Sequence, residues 1–272
     1  MSVFEAIVLG IVQGLTEFLP ISSSAHLRIV PAFAGWEDPG AAFTAVTQLG
    51  TIAAVLLYFR HDLARIAVAW GASLVRRQRP LGLDARLGWI ILLGTIPIGI
   101  FGLVFKDQIE SGARSLYLIG TTLIVLGLLL LLAERVGTRE RGVDSIDLRD
   151  GMAIGLAQAA ALVPGVSRSG ATITAGLFLG LEREAAARFS FLLSVPAIVL
   201  SGIFELGSIG SGEHEVGTGA LVVATVFAFV VGYASIAFLL RFLATHSTVV
   251  FVVYRVALGI AVLGLAATGT IE

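Results

Sequence analysis

Leu19-Pro20-Ile21-Ser22-Ser23-Ser24 interrupts an apolar stretch running from Val3 to Phe33, and Pro164-Gly165-Val166-Ser167-Arg168-Ser169-Gly170 interrupts a second, from Gly151 to Leu181. Proline has no N–H to give a helix, the residue before it resists the α conformation, and glycine and serine favour non-helical backbone. Each stretch is therefore expected to be a helix–loop–helix unit. Neither arm of either unit is long enough to cross the hydrocarbon core, which takes about 20 helical residues.

What surrounds these units follows from composition. Of the 272 residues, 57% are hydrophobic and only 14% charged, with a mean hydropathy of +0.95; a soluble domain carries about 25% charged residues. Six further stretches are apolar enough to cross a bilayer: Ala41 to Phe59, Leu87 to Phe105, Leu116 to Ala133, Phe189 to Leu206, Gly219 to Leu240 and Val249 to Ala267. The expected fold is an all-α polytopic membrane protein with six transmembrane helices and two re-entrant helix–loop–helix segments. Irregular backbone at membrane depth is tolerated only inside protein or against a water-filled cavity, so both loops should face one shared interior.

The chain has no cysteine, which excludes a disulfide framework, a thiolate nucleophile and a Cys-based metal site, and leaves the redox compartment open. A net charge of −1 with no basic stripe gives no reason to expect nucleic acid as a partner. The first apolar stretch contains Glu5, Gln13 and Glu17 and lacks a basic leader, so it reads as mature structure.

Arginine placement sets the expected orientation. Loops 60–86 and 134–150, with Arg183, Arg188 and Arg241, hold thirteen of the eighteen basic residues, whereas 35–40, 106–115 and 207–218 hold only Lys106 and Arg114. Placing the arginine-rich loops in the cytoplasm puts both termini outside. The halves also resemble each other: at an offset of 145, Gly10 matches Gly155, Gln13 matches Gln158, Ser22 matches Ser167 and Ser24 matches Ser169. With three crossings per half, one membrane domain over residues 1–272 is expected to hold an inverted repeat, 1–133 against 151–267, its loops meeting near the midplane.

The first loop gathers Gln13, Glu17, Ser22, Ser23, Ser24 and His26 within fourteen residues. Gln13 and Glu17, spaced i and i+4, share a helix face. A carboxylate within the bilayer costs roughly 2.5–3.5 kcal/mol even on lenient scales, so Glu17 needs a partner: a cation, a proton or a structural hydrogen bond. His26 can be a satisfied polar residue, a base, a proton donor or a nucleophile. The serines can cap a helix, and a cap and a phosphate site coincide because both use the N–H groups of a helix start.

The second loop supplies the opposite sign. Arg168 between Ser167 and Ser169, with Gly165 and Gly170 allowing close backbone approach, makes a phosphate cradle, or an ion pair with Glu17 that ties the halves together. Thr172, one turn on, either joins the cradle or continues the helix. Arg255 in the last span reads as structural, and Gln48 and Gln158 as inter-helix hydrogen-bonders.

The run Gln13-Gly14-Leu15-Thr16-Glu17-Phe18-Leu19-Pro20-Ile21-Ser22-Ser23-Ser24-Ala25-His26 resembles the Glu/Gln-rich signature of the undecaprenyl-diphosphate phosphatase family, the bacitracin-resistance type. Pro164-Gly165-Val166-Ser167-Arg168-Ser169-Gly170-Ala171-Thr172 resembles that family's second signature. The resemblance implies a multi-pass enzyme of the bacterial plasma membrane, reached from the outer side. It would hydrolyse a polyprenyl diphosphate lipid to undecaprenyl phosphate, recycling the carrier lipid of cell-wall synthesis, with a divalent cation, Mg²⁺ or Ca²⁺, required. It further implies Glu17 as the essential acid near the metal, Ser23 and His26 as nucleophile or base, and Arg168 as phosphate clamp. Gln13 stands where many relatives have Glu, and its amide oxygen can still bind a cation but cannot act as a base.

The expected mechanism has Ser23 attacking with His26 as its base and Gln13 helping Glu17 hold the metal. Ser22, Ser24, Ser167, Ser169, Gly170 and Thr172 surround the phosphates, membrane lipids surround the protein, and a homodimer is compatible with the sequence. A lipid-phosphate transporter or flippase of the same inverted-repeat fold is the rival reading, because broken helices at the midplane are a carrier architecture.

Overall fold

The computed structural model describes residues 1–76, 81–105, 115–206 and 216–271. Among them the chain is helical throughout apart from short connections and one isolated bridge, Arg141 with Leu181. The helices are α1 (Val3–Phe18), α2 (Ser23–Ala34), α3 (Gly40–Tyr58), α4 (Arg60–Arg76), α5 (Leu83–Val104), α6 (Leu116–Val136), α7 (Leu148–Ala160), α8 (Arg168–Phe178), α9 (Arg183–Leu206), α10 (Thr218–Leu243) and α11 (Val249–Ala267). The protein is an all-α polytopic membrane protein. Among the described residues α5, α6, α10 and α11 are each long and apolar enough to cross, and α3 with α4 makes a fifth candidate broken by a 74° bend.

The six apolar stretches coincide with α3, α5, α6, α9, α10 and α11, with ends moved by six residues at most. The region 60–86, expected to be connecting loop, contains a helix instead. In α4 the charges Arg60, Asp62 and Arg65 alternate with Leu63, Ile66 and Val68, so no apolar run marks it, although no proline breaks it. The expectations resting on Arg77, Arg79, Lys106, Arg114 and the tips of loops 106–115 and 207–218 lie outside the described residues.

Both interrupted stretches break where the prolines and serines stand. α1 and α2 have 16 and 12 residues, α7 and α8 have 13 and 11, so the longest arm reaches about 24 Å at 1.5 Å per residue, short of a roughly 30 Å core. Their first turns are alike. Ser2 and Glu5 form a capping box at the start of α1, and Asp147 and Asp150, 145 residues further on, form one at the start of α7.

Small residues bring these arms close to the spanning helices. A Cβ on Gly10 would lie 2.4 Å from the Ala224 carbonyl oxygen of α10, and one on Gly155 would lie 2.0 Å from that of Gly94 in α5. Lipid tails are as apolar as leucine, so helices associate in a bilayer through this close backbone packing. The outward faces carry the large apolar residues instead: Val222, Val226 and Val230 on α10, and Val250, Val253 and Ile260 on α11, are all more than half exposed.

Candidate active site

α1 ends at Phe18, Leu19 is extended, and α2 begins under Ser22, whose backbone has φ 76° and ψ 101°. α8 begins in the same way under Ser167, at φ 72° and ψ 118°. Each cap hydroxyl accepts the N–H three residues on, Ala25 at 3.4 Å and Gly170 at 3.1 Å. Each also lies 3.2 Å from the hydroxyl of the serine two residues on, Ser24 or Ser169. Positive φ on a residue with a side chain costs on the order of 1–3 kcal/mol and persists only where the surroundings hold it.

Arg255 does that holding. Its side chain is fully buried in α11, and it donates Nη1 to the Pro20 carbonyl at 3.1 Å and Nη2 to those of Gly165 and Val166 at 3.1 Å each. Further bonds run to Leu123 at 3.2 Å and Thr122 at 3.4 Å in α6. One guanidinium thus fixes the carbonyls of both loops, and among the described residues its hydrogen-bond partners are backbone carbonyls. Gly170 passes beneath it: a Cβ there would sit 2.7 Å from Nη1. Ser169 closes the seam by donating to the Leu19 carbonyl at 3.0 Å.

The two helix starts meet at Glu17. Its Oε1 accepts Arg168 Nη2 at 2.6 Å, and its Oε2 accepts the Ser23 hydroxyl at 2.7 Å and Gln13 Nε2 at 3.1 Å. The side chains of Arg168 and Glu17 are 15% and 8% exposed, so the pair is shielded but reachable. Ser23 and Arg168 are the first residues of α2 and α8, where N–H groups have no intrahelical acceptor and the helix dipole is positive. Two positive helix ends and a guanidinium therefore surround one carboxylate and one hydroxyl, a field that suits a phosphate.

The other expected site residues divide. Ser24 is exposed beside this group, whereas Ser22, Ser167 and Ser169 are buried and committed to caps and to the seam. Thr172 does not face the site: fully buried, it donates to the Arg168 carbonyl at 2.8 Å and contacts the Ser190 hydroxyl, so it continues the helix.

His26 is placed differently from its expected role as the base for Ser23. Its Nδ1 lies 2.7 Å from the Ser22 carbonyl and its Nε2 lies 2.6 Å from the Tyr254 hydroxyl, so both ring nitrogens are taken. The carboxylate of Glu17, not the imidazole, accepts the Ser23 hydroxyl. The i−4 geometry of α2 explains the difference: it turns the ring back over the cap. Tyr254 is the residue that sequence reading missed, because in an apolar span an aromatic residue gives no sign of its partner.

The donor set also fits a hard divalent cation. Gln13 is 1% exposed; its Nε2 donates to the Glu17 carboxylate, which also accepts the Ser23 hydroxyl, and its Oε1 has no hydrogen-bond partner among the described residues. Mg²⁺ is commonly held by one or two carboxylates with substrate phosphates completing the shell, which is what one acid, one amide oxygen and one hydroxyl would leave room for.

Comparison with known proteins identifies the family. Residues 6–261 match the family model described as bacitracin resistance protein BacA. A protein named undecaprenyl-diphosphatase from Nocardioides sp. (strain ATCC BAA-499 / JS614) is 57% identical over 98% of this chain and 97% of its own length. Proteins of the same name from Myxococcus xanthus (strain DK1622) and Prosthecochloris aestuarii (strain DSM 271 / SK 413) are 56% and 54% identical over 100% of this chain, covering 92% and 100% of theirs. With its two signature loops converging on one acid, one hydroxyl and one guanidinium, the chain belongs to the BacA family of bacitracin resistance proteins.

Proposed function

We propose that this protein hydrolyses undecaprenyl diphosphate to undecaprenyl phosphate and inorganic phosphate, and that the two loops form the catalytic site. The observation that carries the reading is the chain Ser23–Glu17–Arg168: a hydroxyl held on a carboxylate whose other oxygen is held by a cation from the opposite loop. A carrier would need groups to bind phosphate. It would have no use for a hydroxyl poised on a base.

The diphosphate competes with Glu17 for Arg168, and the terminal phosphoryl group settles against the guanidinium and the N–H groups that open α2 and α8. Glu17, freed from its ion pair, takes the proton of Ser23 as the hydroxyl oxygen bonds to the terminal phosphorus. The bond from that phosphorus to the bridging oxygen breaks, undecaprenyl phosphate departs, and the proton passes from Glu17 to it. Water then attacks the phosphoserine with Glu17 as base, releasing phosphate and returning the proton to Ser23. Charge on the transferred group spreads over its outer oxygens, where Arg168 and the helix ends stabilise it. When bound, a divalent cation on Glu17 and Gln13 would neutralise the diphosphate.

The prenyl tail stays among the apolar outer faces of the spanning helices. Arginine-rich loops lie in the cytoplasm of a bacterial plasma membrane, and the site opens outward. The matching capping boxes and the strained serine caps, both 145 residues apart, support an inverted repeat of three crossings and one re-entrant unit per half.

The test is phosphate release by the purified protein in detergent, with undecaprenyl diphosphate and Mg²⁺ or Ca²⁺. Detergent has no second compartment, so release separates a hydrolase from a carrier. Metal-dependent release that Ser23→Ala and Arg168→Lys abolish is the expected result. Absence of release from the unaltered protein overturns the proposal.

A further inference from the structure

A hydrogen-bonded chain begins at the outward face of α11 and ends one residue from Ser23. Tyr254 is 43% exposed, its hydroxyl 2.6 Å from His26 Nε2 and its ring stacked on the imidazole at 5.6 Å between centroids and 8° between planes. The imidazole Nδ1 is 2.7 Å from the Ser22 carbonyl, which also accepts the His26 backbone N–H at 3.2 Å. A carbonyl oxygen can only accept, so Nδ1 carries a proton. In the neutral ring Nε2 is then a bare acceptor, and the Tyr254 hydroxyl is its donor.

We propose that Tyr254 is a positioning residue of the phosphatase site: it fixes the tautomer and plane of His26, and through His26 the strained Ser22 carbonyl from which α2 and Ser23 start. The strain makes the device necessary. Ser22 sits at φ 76°, a conformation its side chain disfavours. Arg255 holds the carbonyl of Pro20 on one side of the turn, and His26 holds that of Ser22 on the other. Tyr254 and Arg255 are adjacent in α11, so one turn of one spanning helix fixes both flanks of the nucleophile's loop. Without the phenol hydroxyl the ring keeps one hydrogen bond and can swing about it, and Ser23 loses its fixed approach to the terminal phosphorus.

This inference rests on the hydrolase reading, and its test separates the two. Nitrogen NMR of the ¹⁵N-histidine-labelled protein at neutral pH reads the tautomer without reference to activity. The His26 signals, assigned by their loss in His26→Ala, should show a protonated Nδ1 and a hydrogen-bonded but unprotonated Nε2. In Tyr254→Phe the Nε2 signal should move to the value of an imine nitrogen without a donor. A proton on Nε2 in the unaltered protein overturns the proposal whatever the activity of the variants.

The kinetic arm uses a double-mutant cycle on phosphate release. Tyr254→Phe should lower kcat about tenfold, equivalent to ~1.4 kcal/mol, with KM little changed. Placed in His26→Ala, the same substitution should cost less than about twofold, because residues acting through one another are not additive. Equal losses in both backgrounds, or an unchanged kcat in Tyr254→Phe, overturn the positioning role while leaving the hydrolase reading intact. No phosphate release from the unaltered protein removes that reading instead, and the tautomer result still stands.

Discussion

Glu17→Gln changes one oxygen to an amide and keeps the shape, so its effects follow from the three hydrogen bonds that the carboxylate accepts. If the new NH₂ turns toward Arg168, donor meets donor where a 2.6 Å bond stood. If it turns toward Ser23 and Gln13, the serine hydroxyl loses its acceptor. Either orientation removes a general base, worth roughly 10²–10⁴ in rate. It also leaves a shielded guanidinium without its counter-ion, and breaking a buried pair costs about 3–5 kcal/mol. Loss of turnover alone would not separate chemistry from folding, so the second variant is Glu17→Gln with Arg168→Gln. Removing both charges of a buried pair is often close to neutral for stability. The double variant should therefore recover most of the thermal stability in detergent and none of the phosphate release, scored per folded molecule. Turnover of the single variant within about threefold of the unaltered protein would refute the role of Glu17 as base. An unchanged melting temperature in the single variant would refute the ion pair as a structural tie.

Ser23→Ala removes only a hydroxyl and one bond to Glu17, so the fold should hold while turnover falls by at least about 10²; a phosphoserine trapped from the unaltered protein by acid quench and mass spectrometry checks the same step, and its absence with full activity in the alanine variant defeats it. Gly165 has φ +84°, and a Cβ would stand 2.1 Å from Thr122 Oγ1 and 2.9 Å from the Ile119 carbonyl oxygen, so Gly165→Ala should destabilise by about 1–3 kcal/mol from backbone strain alone and lower turnover; Thr122→Ala in the same chain should relieve the side-chain contact but neither the strain nor the approach to Ile119, and full recovery would contradict this. At the loop end of α7, burial works to raise the pKa of Asp150, but the Arg141 guanidinium, 2.5 Å away, with the Asp147 amide outweighs it and holds the carboxyl below the usual range. A folded pKa below the unfolded value of about 3.9 adds stability that is complete above that value and lost as pH falls through the folded one. Asp150→Asn should thus melt several degrees lower at pH 7, with the gap narrowing progressively as pH drops below about 4; a gap that stays constant as pH falls from about 5 to about 2 would rule this out.

The two breaks and six apolar runs were legible because bilayer and proline chemistry leave few alternatives: a chain cannot expose free backbone to lipid, and Pro20 and Pro164 stand two and four residues past the helices that end at Phe18 and Ala160. The pairing of Glu17 with Arg168 was legible as one of two alternatives, beside the phosphate cradle, because charge at that depth needs opposite charge. α4 was not, since its amphipathic pattern has no apolar run to find. The partner of Ser23 was not either. Spacing puts Ser23 and His26 three residues apart and suggests a dyad, but the ring bonds back to Ser22 and out to Tyr254, while Glu17 reaches forward from the preceding helix. Which hydrogen bonds win is decided by the positive φ of Ser22, and a serine in a sequence does not announce its φ.

The same offset that aligns the two caps shows how a single backbone device yields two roles. Ser22 and Ser167 hold near-equal strained conformations and make the same pair of hydroxyl contacts, and Gln13 and Gln158 are both buried. The residues that differ at that offset are the ones the proposed mechanism uses: Glu17 against Leu162 and Ser23 against Arg168 for the chemistry, and His26 against Ala171 for positioning. At the first position of the helix one half presents a hydroxyl and the other a guanidinium, and because both helix starts are positive, two such ends would repel each other without an anion between them. Glu17 is that anion, placed one helix earlier in the first half alone. A phosphate oxygen carries the same charge and can take the Arg168 bond, so in the proposed mechanism the substrate displaces Glu17 from the guanidinium while Ser23 stays on the carboxylate. In the proposed mechanism, binding and attack follow from one exchange at Arg168: the phosphate gains the cation, and the carboxylate that gave it up keeps the Ser23 hydroxyl whose proton it takes.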